Sequence, residues 1–351
     1  MIRTNDRLSH WRITVALTMI LLLLLAACGG GGDEEDASEE PDAATSEPAD
    51  GDTSEAADDA GGEPEVSEIT LGTLPIVDVA PIQVAQDEGL FEAEGLTVTT
   101  EVMQGGAAAI PALVSGDLDI AFGAWPSFFL ANAEGLELKA VAAGVSATEG
   151  FTLIQALPDS GLEGAPADLA GKTVAVNTLN NLGELAVRSA VQDAGGDPQA
   201  VELVEIPFPD MVAALERGDV DAIWAVEPSA TSAANQLDAV TVVDSYINSM
   251  EGFPVAGFQA TAQFTEENPN TVAAFQRAMG AAAEMIAADE QVAIDAILSY
   301  TELPEELAAD LTLPSFDSEL STDDLQRVSD YMNEFGILEE QVDAREMVIE
   351  G

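Results

Sequence analysis

The sequence has one histidine and one cysteine, and both lie near its beginning. His10 and Cys28 are the only residues of their types among 351. Beyond position 28 the chain therefore cannot build Ser–His or Cys–His nucleophiles, histidine or zinc–thiolate metal sites, or an internal disulfide. Carboxylate chemistry stays open in principle, but with 65 acidic residues a given pair is expected at the solvated surface. We expect no enzyme, no metal and no cofactor.

Basic residues are also scarce. Ten Lys and Arg stand against 65 Asp and Glu, for a formal net charge of −55, and three of the ten (Arg3, Arg7 and Arg12) precede Cys28. A domain of this charge repels phosphates and anionic headgroups. Nucleic acid and an anionic membrane surface are therefore excluded as partners bound through the electrostatic field.

The N-terminus has the layout of a secretory signal. Residues 1–12 carry the three arginines, and residues 13–27 are apolar apart from Thr14 and Thr18. Fifteen residues fall short of the roughly 20 that span a bilayer, and basic, apolar and small residues in this order are typical of a signal peptide. Leu-Ala-Ala-Cys-Gly at 25–29 resembles a bacterial lipobox, which implies cleavage before Cys28 and lipid on its thiol. We expect a signal peptide over 1–28 and a lipid anchor on the outer face of the cytoplasmic membrane.

Residues 29–68 consist almost entirely of Gly, Ala, Ser, Thr, Pro, Asp and Glu, without an aromatic or basic residue. Such a composition cannot bury enough apolar surface to offset its chain entropy. We predict a disordered acidic linker here, extended by repulsion between like charges.

The remaining chain contains an internal repeat of about 20 residues. Residues 105–126 and 208–228 both read as a loop, an apolar-spaced helix, a Gly-Asp-apolar-Asp corner, a short buried strand and a loop that ends in proline. A helix, a glycine just past its end and an apolar strand form half of a βαβ unit. Two such units about 100 residues apart predict two similar α/β lobes.

The order of elements agrees with two lobes. We predict a strand over 69–74, a helix from Ala80 with Asp78 as its cap, and a second strand over 96–102. The chain then crosses to the second lobe over 141–155 and returns over 240–259. These crossings divide it into lobe I (69–150), lobe II (151–255) and the return of lobe I (256–351). Two crossings make a hinge, and a ligand between the lobes would favour closure.

Several short motifs, in order, resemble one family of transport proteins. They are Gly89-Leu90-Phe91, Glu94-Gly95-Leu96, Gly105-Gly106, the corner at 116–119, the strand at 169–176, Trp224 with Glu227-Pro228, and the segment 264–269. Together they resemble ABC-transporter substrate-binding lipoproteins that take nitrate, sulfonates, taurine or thiamine-pyrimidine precursors. The resemblance covers nearly all of 69–351. It implies a two-lobed type II periplasmic-binding-protein fold, no catalysis, and membrane permease subunits as partners.

Ligands of α/β lobes lie beyond the carboxyl ends of the strands, and this rule selects candidate residues independently of the family. Trp125 and Glu227 are added because they occupy equivalent places before the repeat's prolines. The predicted ligand-binding residues are Leu74, Pro75, Asp78, Gly105, Gly106, Ala107, Trp125, Asn177, Thr178, Asn180, Asn181 and Glu227.

The ligand's charge stays open at this point. Helix N-termini after Gly106 and Asn181 could bind a sulfonate or nitrate, whereas Asp78 and Glu227 suit an amine or aminopyrimidine stacked on Trp125. We predict a monomeric, lipid-anchored binding protein that delivers a small organic solute of the nitrate, sulfonate or taurine type to an ABC importer. The alternatives are an aminopyrimidine ligand in the same role and, from another class, a sensor lipoprotein that docks on a signalling receptor.

Overall fold

The computed structural model describes residues 62–246 and 250–349. The predicted signal peptide, Cys28 and nearly all of the predicted linker lie outside these residues. Within the described ranges, no helix is both long enough and apolar enough to cross a bilayer.

Eleven strands and eleven helices alternate through the described chain, joined by short turns. The strands are β1 (Glu68–Thr73), β2 (Thr97–Val102), β3 (Ile120–Ala124), β4 (Leu138–Ser146), β5 (Thr152–Ala156), β6 (Thr173–Val176), β7 (Glu202–Glu205), β8 (Ala222–Val226), β9 (Val240–Asp244), β10 (Pro254–Thr261) and β11 (Ser315–Phe316). The helices are α1 (Ala80–Asp87), α2 (Leu90–Ala93), α3 (Gly106–Ser115), α4 (Trp125–Ala133), α5 (Leu182–Asp193), α6 (Phe208–Arg217), α7 (Ser229–Leu237), α8 (Ala262–Glu267), α9 (Pro269–Ala288), α10 (Glu290–Tyr300) and α11 (Thr322–Glu334).

The strands form two separate sheets. The first has the order β11-β4-β10-β3-β1-β2, and the second has the order β7-β6-β8-β5-β9. In the first sheet β1 is parallel to β2 and β3, while β10 is antiparallel to β3 and β4. In the second, β6 is parallel to β7 and β8, while β5 is antiparallel to β8 and β9. We call the elements around the first sheet lobe I and those around the second lobe II.

Two chain crossings join the lobes, one between β4 and β5 and the other between β9 and β10. Strands β1 to β4 therefore belong to lobe I, β5 to β9 to lobe II, and β10 and β11 again to lobe I. The predicted mixed α/β architecture with two lobes and two crossings is confirmed.

The repeated segment has the same local geometry in both lobes. Gly116 ends α3 and Gly218 ends α6, both with positive φ (78° and 70°), a conformation that glycine adopts without strain. The second aspartate of each corner then accepts a hydrogen bond from the first residues of the central parallel strand of its lobe, β1 or β6. Asp119 accepts from the N–H of Thr70 at 2.8 Å, and Asp221 accepts from that of Thr173 at 2.9 Å. The corner thus ties each helix–strand unit to the neighbouring parallel strand in its sheet, β1 or β6.

Lobe I has an aromatic core between α9 and the sheet. Phe275 of α9 stacks on Phe91 at 5.8 Å and meets Phe258 edge-on at 5.3 Å. Five apolar residues of α9 recur at helical spacing, which predicts a stripe that faces the core, and all five are buried: Val272, Phe275, Met279, Ala282 and Ile286. This stripe fixes the returning C-terminal helices against the first sheet.

Candidate functional site

The loops that follow the strands of one lobe meet those of the other. Val77, in the loop after β1, donates its N–H to the carbonyl oxygen of Glu227 after β8, at 3.3 Å. Asn181, after β6, donates its side-chain Nδ2 to the hydroxyl of Ser127, after β3, at 2.7 Å. We call the meeting of these strand-end loops the interlobe seam. It lies where ligands bind in open α/β sheets, beyond the carboxyl ends of the parallel strands.

The loop after β1 buries an acidic side chain. Leu74 is buried and Pro75 half-buried, and the next residues form a short 3₁₀ turn, Val77–Val79. Asp78 in this turn is only 3% exposed, and its Oδ1 has no hydrogen-bond partner among the described residues. Burial raises the pKa of Asp78 to about 7, opposed by a hydrogen bond from its own backbone N–H.

The predicted role of Asp78 as a helix cap is wrong. Helix α1 begins at Ala80 directly after Val79, and no side chain accepts a hydrogen bond from its first turn. The 3₁₀ turn extends the helical path by three residues, and Pro81 in the first turn has no N–H to satisfy. Asp78 consequently lies inside this turn, free of capping contacts.

Two tyrosines near Asp78 were missed by sequence reasoning. Tyr246 follows β9 in lobe II and stacks on Phe151 at 6.3 Å, and Tyr300 ends α10 in lobe I and donates to the carbonyl of Ile76 at 2.9 Å. Burial raises the pKa of both phenols well above the usual value, and the nearby charge of Asp78 raises it further. The scarcity of tyrosine, three in the chain, with one in the second crossing, was the available signal.

Gly105 lies opposite Thr178 across the seam. A Cβ at position 105 would lie 2.9 Å from Oγ1 of Thr178 and 3.8 Å from Nδ2 of Asn177. The absence of a side chain therefore allows the lobes to approach here. Gly106 begins α3 and is buried, whereas Ala107 in its first turn is exposed. The structure thus brings together Gly105, Asn177 and Thr178.

Asn181 has two roles in the seam. Its Oδ1 accepts the N–H of Leu182 and so caps α5, while its Nδ2 bonds Ser127 of the other lobe. Asn180, in contrast, is exposed, and its N–H already donates to Glu184 Oε2 at 2.9 Å. Glu184 also pairs with Arg188 at 2.7 Å. The carboxylate of Glu184 therefore already accepts one of the N–H groups at the N-terminus of α5.

Trp125 begins α4 and packs into its own lobe. Its side chain is 2% exposed, and the ring lies so close to Gly257 of β10 that a Cβ there would be 2.2 Å from Cζ2. The ring also lines a cavity of about 400 Å³ whose walls include Ser146 and Asp317, and whose lining comes entirely from lobe I. Asp317 accepts from the hydroxyl of Ser146 at 2.6 Å, and burial raises its pKa.

Glu227 also contacts its own lobe. Its carboxylate accepts the N–H of Thr231 at 3.0 Å and the hydroxyl of Thr231 at 2.9 Å, in the first turn of α7. Burial raises the pKa of Glu227, and these bonds, with one from the backbone of Thr312, oppose the rise. Trp125 and Glu227 thus follow equivalent strands, β3 and β8. The ring contacts β10 of its own lobe, whereas the carboxylate contacts α7 of its own lobe and the backbone of Thr312 in lobe I.

Known proteins match this chain in sequence and in fold. A family model described as NMT1/THI5 like matches residues 76–293. The taurine-binding periplasmic protein of Escherichia coli (strain K12) is 28% identical over 56% of this chain and 60% of its own length. The formylaminopyrimidine-binding protein of Halalkalibacterium halodurans is 28% identical over 45% of this chain and 47% of its own length. The chain therefore aligns with only about half of the length of these curated relatives.

A solved structure supports the fold. The alkanesulfonate-binding protein SsuA from Xanthomonas axonopodis pv. citri, bound to MOPS, superposes with a TM-score of 0.70 at 18% identity, covering 81% of this chain and 99% of that one. At this identity the likeness shows the fold alone, and it confirms the predicted two-lobed periplasmic-binding-protein fold. Because the family model spans more than half of the sequence, the chain belongs to the NMT1/THI5-like family.

Proposed function

We propose that this protein is the extracytoplasmic substrate-binding component of an ABC importer for a small organic solute, without catalysis of its own. The interlobe seam is the observation that carries the proposal. Loops after β1, β2 and β3 meet loops after β6 and β8, and a solute between them would contact both lobes at once. Such a solute would stabilise the closed arrangement by its contacts with both lobes.

The ligands after which the similar proteins are named support a small organic solute. Proteins that bind taurine and formylaminopyrimidine are similar in sequence, and one that binds alkanesulfonates is similar in fold. We therefore keep both candidates, a solute of the nitrate, sulfonate or taurine type and an aminopyrimidine. The site residues are the predicted set, extended by Ser127 and Tyr246. The lobe boundaries at 150/151 and 255/256 stay part of this proposal. Strand β5 begins after the first boundary, whereas β10, a strand of the first sheet, begins at Pro254 and so crosses the second.

The location and partners are also proposals. Lipid on Cys28 would hold the protein on the outer face of the cytoplasmic membrane, and the predicted linker would act as the spacer to permease subunits as far as Glu65, which bonds Asn270 and Thr271 of α9. Mass spectrometry of the N-terminal peptide from membranes tests the anchor, because a diacylglyceryl group on the cysteine adds a defined mass. An unmodified Cys28 would refute it. Light scattering of the purified protein tests the expected monomer.

A ligand panel tests the central proposal. The full chain in detergent is heated with nitrate, ethanesulfonate, taurine or 4-amino-2-methylpyrimidine, each titrated to saturation. A ligand at about 100 times its dissociation constant adds roughly 2.7 kcal/mol to the free energy of unfolding, which is a readily measured shift. No shift with any of these compounds, on a cooperatively unfolding sample, would refute binding of this solute class.

A further inference from the structure

The interlobe seam contains a buried carboxylate, and one of its two oxygen atoms has no hydrogen-bond partner among the described residues. Asp78 is 97% buried, since it is 3% exposed, and its Oδ1 makes no hydrogen bond. Burial of a carboxylate without a partner is among the most unfavourable arrangements in a folded protein. An acidic group retained under these conditions, at a place where two lobes meet, indicates a partner that comes from outside the chain.

The facing lobe contributes hydroxyl groups that also lack a well-formed hydrogen bond. Tyr246 is 2% exposed, and its hydroxyl lies beside that of Thr152 with neither making a well-formed bond. The hydroxyl of Ser245 is equally buried and unbonded, and its N–H bonds the carbonyl of Thr152 at 2.9 Å. The side chains of Tyr246 and Thr152 therefore lie together on lobe II, and the charge of Asp78 acts on Tyr246 from lobe I.

Residues 62–246 and 250–349 offer no unpaired basic side chain for this place. Every basic side chain of the described ranges is held elsewhere by a carboxylate or, for Lys139, by the carbonyl of Glu346. The nearest of them along the seam-forming loops, Arg188 of α5, pairs with Glu184 and also donates to the carbonyl of Pro198. None of the described basic side chains is therefore available to pair with Asp78.

We propose that the solute carries a hydrogen-bond-donating nitrogen, either a protonated amine or an exocyclic amino group, which Asp78 of lobe I accepts while Tyr246 of lobe II closes over it. This inference rests on the proposed solute-binding function and specifies the chemical class. Nitrate and simple alkanesulfonates offer no donor, so their binding would leave Asp78 unpaired. Sites built to bond a donor discriminate strongly against analogues that lack it.

Matched ligand pairs test the requirement for nitrogen. The full chain in detergent is titrated calorimetrically with taurine against ethanesulfonate, and with 4-amino-2-methylpyrimidine against 2-methylpyrimidine. We expect the amino compound of one pair to bind at least about 100-fold more tightly than its match. The pair that shows this preference distinguishes an aliphatic amine from an aminopyrimidine.

Variants assign the preference to Asp78. In Asp78→Asn the preference should fall below about tenfold, because an amide is a poorer acceptor and carries no charge. The control is Asp87→Asn, an exposed position at the end of α1 that should keep the wild-type preference. Equal affinity within both pairs, or an unchanged preference in Asp78→Asn, would overturn the inference.

The outcome separates this inference from the proposed function. Tight binding of ethanesulfonate or nitrate, with no gain from an amino group, would refute the nitrogen requirement and leave solute binding established. Failure of every probe to bind would refute the proposed function, and the inference would fall with it.

Discussion

Substitution of Asp78 by asparagine should stabilise the ligand-free protein, and the gain should depend on pH. In the wild type the carboxylate is buried without a partner for Oδ1, and burial raises its pKa from 3.8 to about 7. The folded state therefore binds a proton more tightly than the unfolded state does. The free energy of unfolding is therefore highest where Asp78 is protonated in both states, below pH about 4, and it declines as the pH rises from about 4 to about 7. The asparagine variant has no group that titrates there.

The size of the effect follows from the two pKa values. A difference between 3.8 and about 7 corresponds, at 1.36 kcal/mol per pKa unit, to on the order of 4 kcal/mol of lost stability above pH 7. At roughly 2 °C per kcal/mol for a domain of this size, Asp78→Asn should melt about 8 °C higher than the wild type at pH 8 and at the same temperature near pH 4.

Thermal unfolding of both proteins between pH 4 and 8, at constant salt, measures the difference. Other buried acids with raised pKa values, such as Glu227 and Asp317, titrate in both proteins and cancel. Tyr246 and Tyr300 stay neutral throughout, because their pKa values are raised well above the usual value. A melting difference that does not change with pH, or a less stable variant at pH 8, would show that Asp78 has a partner in the folded protein.

Three further predictions test the surroundings of the seam. Gly257→Ala should lower the free energy of unfolding by about 1–3 kcal/mol, because its Cβ would lie 2.2 Å from the ring of Trp125. Gly280→Ala in α9, where a Cβ meets nothing within 4 Å, should instead raise it by about 0.5–1 kcal/mol. Both are measured by urea unfolding, and equal effects would contradict the close packing. Ser127→Ala removes a hydrogen bond between the lobes that contributes about 1 kcal/mol, so calorimetry should show about fivefold weaker solute binding. An unchanged affinity would mean that this bond does not stabilise the closed, solute-bound arrangement. Glu227→Ala removes the acceptor for the first turn of α7 and should cost about 1–2 kcal/mol, with partial rescue in Glu227→Gln. An unchanged melting temperature in the alanine variant would refute that role.

The helices and strands whose ends depend on neighbouring residues could be predicted well. The predicted second strand, 96–102, is observed as Thr97–Val102, and the helix predicted to begin at Leu182 does begin there. Asn181 was expected at the start of that helix and caps it. Apolar periodicity, capping residues and glycine corners act within a few neighbouring residues, so their outcome can be inferred from the sequence alone.

The directions of the site side chains could not be predicted in the same way. The repeat correctly placed Trp125 and Glu227 at the ends of equivalent strands. It could not show that the ring of Trp125 packs on Gly257, more than 100 positions later, or that Glu227 bonds α7. Asp78 was expected to cap a helix and is instead buried beside a tyrosine from the other lobe.

The sequence by itself determined the α/β class, the duplicated helix–corner–strand unit, the two crossings between lobes and the absence of histidine and cysteine chemistry after residue 28. These properties depend on composition and on spacing between near neighbours. Only the tertiary structure decided which loops meet, that Ser127 bonds Asn181, and that the charge of Asp78, whose Oδ1 has no partner among the described residues, acts on Tyr246 of the other lobe. Such contacts join residues that are 54 and 168 positions apart in the sequence. They are set by the packing of two whole lobes, to which every strand and helix contributes, so no local pattern can specify them.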